Sequence, residues 1–154
     1  MNEQKSGASL PSGTSQRTSV TTQKVLAVEL CDHREEVTLG SATDSQAVVG
    51  PVFRDLGPGL ADIVIHGKGY NAINGFEYEV VAQFSYDGDE WEDFTGTALL
   101  TVAAADVNKT RISSPHTNRG NFGRYLRFIV KVSDNGGGVA KAQLSITVVF
   151  HFLA

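Results

Sequence analysis

Five carboxylates crowd into seven residues, Asp87, Asp89, Glu90, Glu92 and Asp93, around the chain's single tryptophan, Trp91. Oxygen donors at that density suit calcium, which takes six to eight of them. The spacing is not that of an EF-hand loop, and a Trp91 that points inward divides the set. The cluster therefore reads as a solvated acidic turn that can meet a basic patch on a partner. The opposite charge lies at residues 108–122, NKTRISSPHTNRGNF, where Lys109, Arg111 and Arg119 stand with no acid among them. The chain carries a formal net charge of −4, so this segment is a local positive patch. Complementary acidic and basic loops suit contacts between copies in a ring or lattice.

Other reactive residues point away from catalysis. His33, His66, His116 and His151 show no metal-ligand spacing and read as structural histidines, with His151 on the polar face of the last strand. Cys31, Asp32 and His33 juxtapose a thiol and a base, but neighbours on a strand point to opposite faces. Cys31, the one cysteine, reads as a small apolar residue at a strand end. It can form neither an internal disulfide nor a cysteine-based zinc site. No phosphate-binding Gly-x-x-x-x-Gly-Lys-Ser/Thr loop and no Gly-x-Ser-x-Gly elbow occurs. Asn108-Lys109-Thr110 has the form of a glycosylation acceptor, and reads as accidental because the first twenty residues contain no apolar leader segment. The expectation is a protein without catalytic residues, cofactor or metal.

The elements that must position these loops are strands. Leu26, Val28 and Leu30 alternate with Val25, Ala27 and Glu29, and Ile63 and Ile65 with Asp62, Val64 and His66. Phe76, Tyr78, Val80, Ala82 and Phe84 share one face, with Glu77, Glu79, Gln83 and Ser85 on the other. Leu100 and Val102 mark a shorter strand. Leu126, Phe128, Val130 and Val132 oppose Tyr125, Arg127 and Lys131, and Leu144, Ile146, Val148, Phe150 and Phe152 oppose Gln143, Ser145, Thr147 and His151. Such period-two patterns mark strands with one buried and one wet face. Gly57-Pro58-Gly59, Gly67-Lys68-Gly69, Asn74-Gly75, Asp87-Gly88 and the run 134–138 interrupt them. The run 134–138 is expected to close a central hairpin of the last two strands. Residues 103–107 offer one helical turn at most.

Ser85, Asp87, Gly88 and Trp91 in VVAQFSYDGDEWEDF, then Arg124, Tyr125 and Arg127 in GRYLRFIVKV, resemble the motifs of discoidin-type and related galactose-binding-like domains. There a strand runs into Ser-x-Asp-Gly-x-x-Trp, and a later Arg-Tyr-x-Arg strand precedes the last one. The resemblance spans roughly residues 76–152. It implies a jelly-roll sandwich, a pattern that also recurs in structural proteins of phages and prophages. The physical reading of the motif requires no ligand. Asp87-Gly88 supplies the positive φ of a tight hairpin. Trp91 is expected to turn back over the end of the sandwich. Arg124 and Arg127 are expected to lie along the wet face or to pair with nearby carboxylates.

The bulk numbers agree with one domain. The chain has 154 residues, of which 41% are hydrophobic, enough for a real core. An acidic balance argues against nucleic acid, which requires a basic footprint, and no apolar run reaches the 18 residues of a membrane span. Residues 1–23 are rich in Ser, Thr, Gln and Gly and are expected to form an extended arm that gains order only against a partner. Residues 24–154 are expected to form an antiparallel jelly-roll β-sandwich. The function these observations favour is a non-enzymatic structural protein of a phage-like virion, a capsid decoration or a tail or neck component assembled in the host cytoplasm. Its partners would be other virion subunits, including copies of itself. The candidate interaction residues are Lys109, Arg111, Arg119, Asp87, Asp89, Glu90, Trp91 and Arg124. The alternative is a carbohydrate-binding module, with Trp91, Tyr86 or the Arg124 region near a sugar.

Overall fold

The computed structural model describes residues 23–32, 36–39, 45–56, 59–94, 98–117, 124–136 and 139–153. The arm expected at residues 1–23 lies outside them except for Gln23, which already opens the first strand. In chain order the strands are β1 (Gln23–Cys31), β2 (Glu36–Leu39), β3 (Ser45–Val49), β4 (Phe53–Arg54), β5 (Leu60–Ile73) and β6 (Phe76–Ser85). They continue with β7 (Glu92–Asp93), β8 (Leu100–Val102), β9 (Arg111–Ile112), β10 (His116–Thr117), β11 (Tyr125–Asp134) and β12 (Ala140–Leu153). The helical turn expected at 103–107 is a 3-10 turn at Ala104–Asp106.

Two antiparallel sheets pack face to face. The first runs β9-β5-β12-β1, with β10 also on β5 and β2 on β12; the second runs β3-β11-β6-β7, with β4 on β11 and β8 on β6. The last strand, β12, is flanked by β1 from the start of the chain and by β5. The next to last, β11, is flanked by β3 and β6. Neighbours thus come from distant parts of the sequence, and the chain wraps from sheet to sheet, which is a jelly roll.

The alternation seen in the sequence sets the core. Ala140, Ala142, Leu144, Ile146, Val148 and Phe150 of β12 are buried while the residues between them are only partly so. They meet Phe76, Tyr78, Val80 and Ala82 of β6 and Leu126, Phe128, Val130 and Val132 of β11. Phe53, Phe128 and Phe150 pack edge to face at one end, with Phe53 and Phe150 centroids 4.9 Å apart. Further along, Tyr78 reaches across to β5, where Gly67 leaves space: a Cβ there would stand 2.5 Å from the tyrosine hydroxyl.

The expected hairpin of the last two strands is not formed. β11 and β12 lie in different sheets, so the chain passes from one sheet to the other after Asp134. Both strands are central, with one largely apolar face, and those faces bury most when turned toward each other rather than laid side by side. Asn74-Gly75 makes a second crossing, from β5 to β6, with φ of +57° and +79°. The two crossings clasp: Asn135 N–H donates to Gly75 O at 2.9 Å, and Asn74 Nδ2 donates to Val139 O at 2.7 Å. Gly75 and Gly136 lie backbone against backbone, leaving no space for a side chain at either.

Candidate functional site

The acidic loop at the end of β6 is built around one carboxylate. Asp87 Oδ1 accepts the backbone N–H groups of Asp89 (2.8 Å) and Glu90 (3.0 Å) and the Ser85 hydroxyl (2.9 Å). The Ser85 oxygen in turn accepts the N–H of Gly88 at 2.8 Å. These bonds, led by those from Glu90 and Asp89, hold the Asp87 carboxyl below the usual aspartate range. Gly88 has the expected positive φ, +88°. The turn is wider than a tight hairpin, however, because pairing resumes only at Phe84↔Glu92 and Gln83↔Asp93, leaving a six-residue loop, 86–91. Phe84, Tyr86, Asp87, Glu90 and Glu92 line a recess of about 130 Å³ there, and Tyr86 is 72% exposed.

Trp91 does not turn back into the core. It is half-buried and lies under the Arg127 guanidinium, whose Cζ is 4.1 Å from the ring centroid. Arg127 sits between the buried Leu126 and Phe128, so it projects from the outer face of the second sheet. The register explains the correction: Trp91 is two residues before Asp93, which pairs with outward-facing Gln83. Arg127 Nε donates to Gln83 Oε1 at 2.9 Å, and Gln83 Nε2 donates to Asp93 Oδ1 at 2.9 Å. Beside them the guanidinium groups of Arg54 and Arg124 stand 5.5 and 5.6 Å from the Tyr125 ring centroid. Arg124 pairs with Asp55 at 3.3 Å, as expected of an arginine on the wet face near a carboxylate. Two outward apolar residues of this sheet, Val81 and Ile129, are only 4% and 5% exposed. They face each other across the ladder.

The basic segment is less positive than its sequence suggests. Lys109 Nζ is 3.1 Å from Asp106 Oδ1, and Arg111 is 3.8 Å from Asp106 Oδ2. The Lys109 hydrogen bond and charge hold the Asp106 carboxyl below its usual range. The acid lies just outside the segment that reads as purely basic. Part of that segment is sheet: β9 and β10 pair with β5. Arg119 lies outside the described residues. The acidic loop ends β6 in the second sheet, whereas Lys109 and Arg111 lie beside β5 in the first, so the fold does not pair them within one chain.

His116, His151 and Cys31 take structural places. His151 Nδ1 is 2.5 Å from Asp62 Oδ1 on the outer face of the first sheet. His116 Nε2 contacts Leu99 O at 3.0 Å, and His66 is exposed. His33 lies outside the described residues. Cys31 ends β1, half-buried against the core. The Asn108 amide oxygen accepts the N–H of Ala72 at 3.0 Å, a structural use of the residue heading the acceptor triplet.

Two surfaces escaped the sequence reading. A shallow groove of about 580 Å³ runs over the outer face of the second sheet, bordered by Ala47, Glu77, Glu79, Thr101, Lys131 and Ser133. It contains none of the residues singled out for interaction. The open edge formed by β1 and the β3–β4 segment exposes Val25, Leu26, Val49 and Val52, with Leu153 beside Gln23. Its signal was the run of apolar residues on both faces of β1, which alternation alone assigns to one face.

The sequence matches no described protein family and no curated protein. The fold has known counterparts in infectious bursal disease virus. A structure of its Gx strain superposes with a TM-score of 0.54 at 11% identity, covering 86% of this chain and 32% of that one. The crystal structure of the virus's VP2 subviral particle gives 0.53 at 10% identity, covering 85% of this chain and 33% of that one. The likeness is one of fold. This chain spans about a third of the length of those chains. The jelly-roll β-sandwich fold is thereby shown, whereas the galactose-binding type that the Ser85–Trp91 motif resembles is not.

Proposed function

We propose that the chain is a non-enzymatic structural subunit of a virion, acting through contacts with other subunits. The observation that carries this reading is the jelly roll itself, superposable over 86% of the chain on a protein of a virus particle. The exposed apolar residues of β1 and the β3–β4 segment, Val25, Leu26, Val49 and Val52, support it, because apolar side chains left in water favour burial in an assembly. The finer placement is a phage-like particle, as a capsid decoration or a tail or neck component, assembled in the host cytoplasm, with residues 1–23 lacing between neighbours. Electron microscopy with light scattering on the purified chain tests the reading. Rings, shells or other closed oligomers are expected. A monodisperse monomer that also fails to join particles made in the same cell overturns it. Deleting residues 1–23 without effect on assembly removes the arm from the proposal alone.

A second reading is favoured by one observation: Trp91 stands half-exposed on a wet face, as a sugar-stacking residue would. It assigns the chain to carbohydrate binding. Capture on a glycan array by the wild type, lost in a folded Trp91→Ala variant, is the result that would move the assignment there.

A further inference from the structure

We propose that Arg127 is the docking point for the acidic loop 86–91 of a second copy of this chain, the two copies making the contact reciprocally. The proposal rests on the reading as an assembling subunit and names its contact. The other arginines among the described residues are engaged by acids: Arg54 and Arg124 share Asp55, and Arg111 shares Asp106 with Lys109. Arg127 differs. Its Nε is spent on Gln83, which Asp93 holds in turn, and its plane rests on Trp91. Among the described residues no carboxylate comes within ion-pair distance of it, and its two terminal amino groups make no hydrogen bond. A guanidinium fixed on two sides with its fork unfilled is preorganised for a carboxylate, because less side-chain entropy is lost on binding.

The loop supplies the counterpart. Asp87 is consumed by its own backbone and Asp93 by Gln83. Asp89, Glu90 and Glu92 are exposed, and none has a cationic partner among the described residues. Fork and acids flank the same Trp91, yet within one chain they do not meet. A two-fold axis beside Trp91 brings each loop to the other copy's Arg127, since in such an interface residue i contacts j and j contacts i. Exposed Val49, paired with Ile129 on the same face, adds apolar surface next to the fork.

Sedimentation equilibrium of three proteins tests it: the full-length chain, Arg127→Glu, and the double variant Asp89→Lys with Glu90→Lys. Each variant alone is expected to weaken self-association by about tenfold or more, as loss of a close interfacial charge pair does. Mixed one to one, the two variants restore opposite charges at both halves of the interface. Their mixed dimer is expected to form within about threefold of the wild-type dissociation constant. The double variant changes an exposed loop, so a fold defect at Arg127 would not disguise the result, and circular dichroism melts check both. A wild type that associates while Arg127→Glu associates equally well overturns this proposal and leaves the subunit reading standing. A mixture that fails to recover overturns it in the same way. A wild type that stays monomeric at all concentrations overturns this contact, and the subunit reading falls with it where the monomer also fails to join particles made in the same cell.

Discussion

Replacing Tyr78 by Phe should stabilise the protein. The ring of Tyr78 is 2% exposed at the centre of β6, and its hydroxyl, pressed toward Gly67 of the facing sheet, has no hydrogen-bond partner among the described residues. A buried hydroxyl left unmatched costs about 1–3 kcal/mol. Phe keeps the ring and removes the oxygen, opening a void of roughly 10 Å³, worth about 0.2 kcal/mol at the usual cavity cost. The net expectation is a gain of about 1 kcal/mol or more, raising Tm by about 2–4 °C for a chain of this size. Alkaline pH gives an independent arm. Burial pushes the Tyr78 pKa up to about 12 from 10.0, with the Arg111 charge opposing the rise. A group whose pKa is higher folded than unfolded contributes fully below the unfolded value, and that contribution is lost as pH rises toward the folded one. Two units correspond to at most about 3 kcal/mol. Urea midpoints of the wild type should therefore fall behind those of Tyr78→Phe between pH 10 and 12, as read by intrinsic fluorescence. A Tyr78→Phe protein less stable at pH 7 by about 1 kcal/mol would refute the unmatched hydroxyl, since that is the sign expected of a satisfied one. A gap that stays constant through the alkaline range would refute the burial-driven pKa.

Three further outcomes follow from the same geometry. Trp91→Ala should leave a folded sandwich and cost about 1–2 kcal/mol, from lost cation–π stacking and partial burial, rather than the roughly 3–5 kcal/mol of a core aromatic; urea denaturation separates the two. Gly75→Ala should cost more than about 2 kcal/mol, since φ is +79° and the new Cβ would run into Gly136 N, and a thermal shift within a degree of the wild type would contradict the clasped crossings. The lowered Asp87 pKa means that its hold on loop 86–91 is complete above the ordinary aspartate value, 3.8, and fades as pH falls through the folded value. Amide exchange at Asp89 and Glu90, followed from pH 6 to 2 after correction for intrinsic rates, should lose protection only at the acid end; protection unchanged at pH 2 would count against the capping role.

Much of the fold was legible in the residues, and the reason is physical. β6, β11 and β12 are long central strands with one buried face, so their period-two pattern shows over ten residues or more even with Val81 and Ile129 apolar on the outer face. The short strands β2, β4, β7, β9 and β10 escaped because two to four residues at a sheet edge bury too few side chains to show a period. Turn chemistry misled in one respect. Asn74-Gly75 supplies positive φ and Gly136 a close backbone approach, and a corner between sheets needs both as much as a hairpin does. Trp91 was assigned to the wrong face because a six-residue loop hides the register until Asp93 is seen opposite Gln83. The weakness of the basic patch was legible in principle: Asp106 stands three residues before Lys109, but counting charges from residue 108 leaves it out.

If this sandwich assembles with copies of itself, its mass in solution must show it. Sedimentation equilibrium of the purified 154-residue chain over a hundredfold range of concentration is the most direct test. The expected result is a species heavier than the 16.5 kDa protomer that gains weight with concentration toward a fixed multiple. A single 16.5 kDa species across the whole range would contradict it.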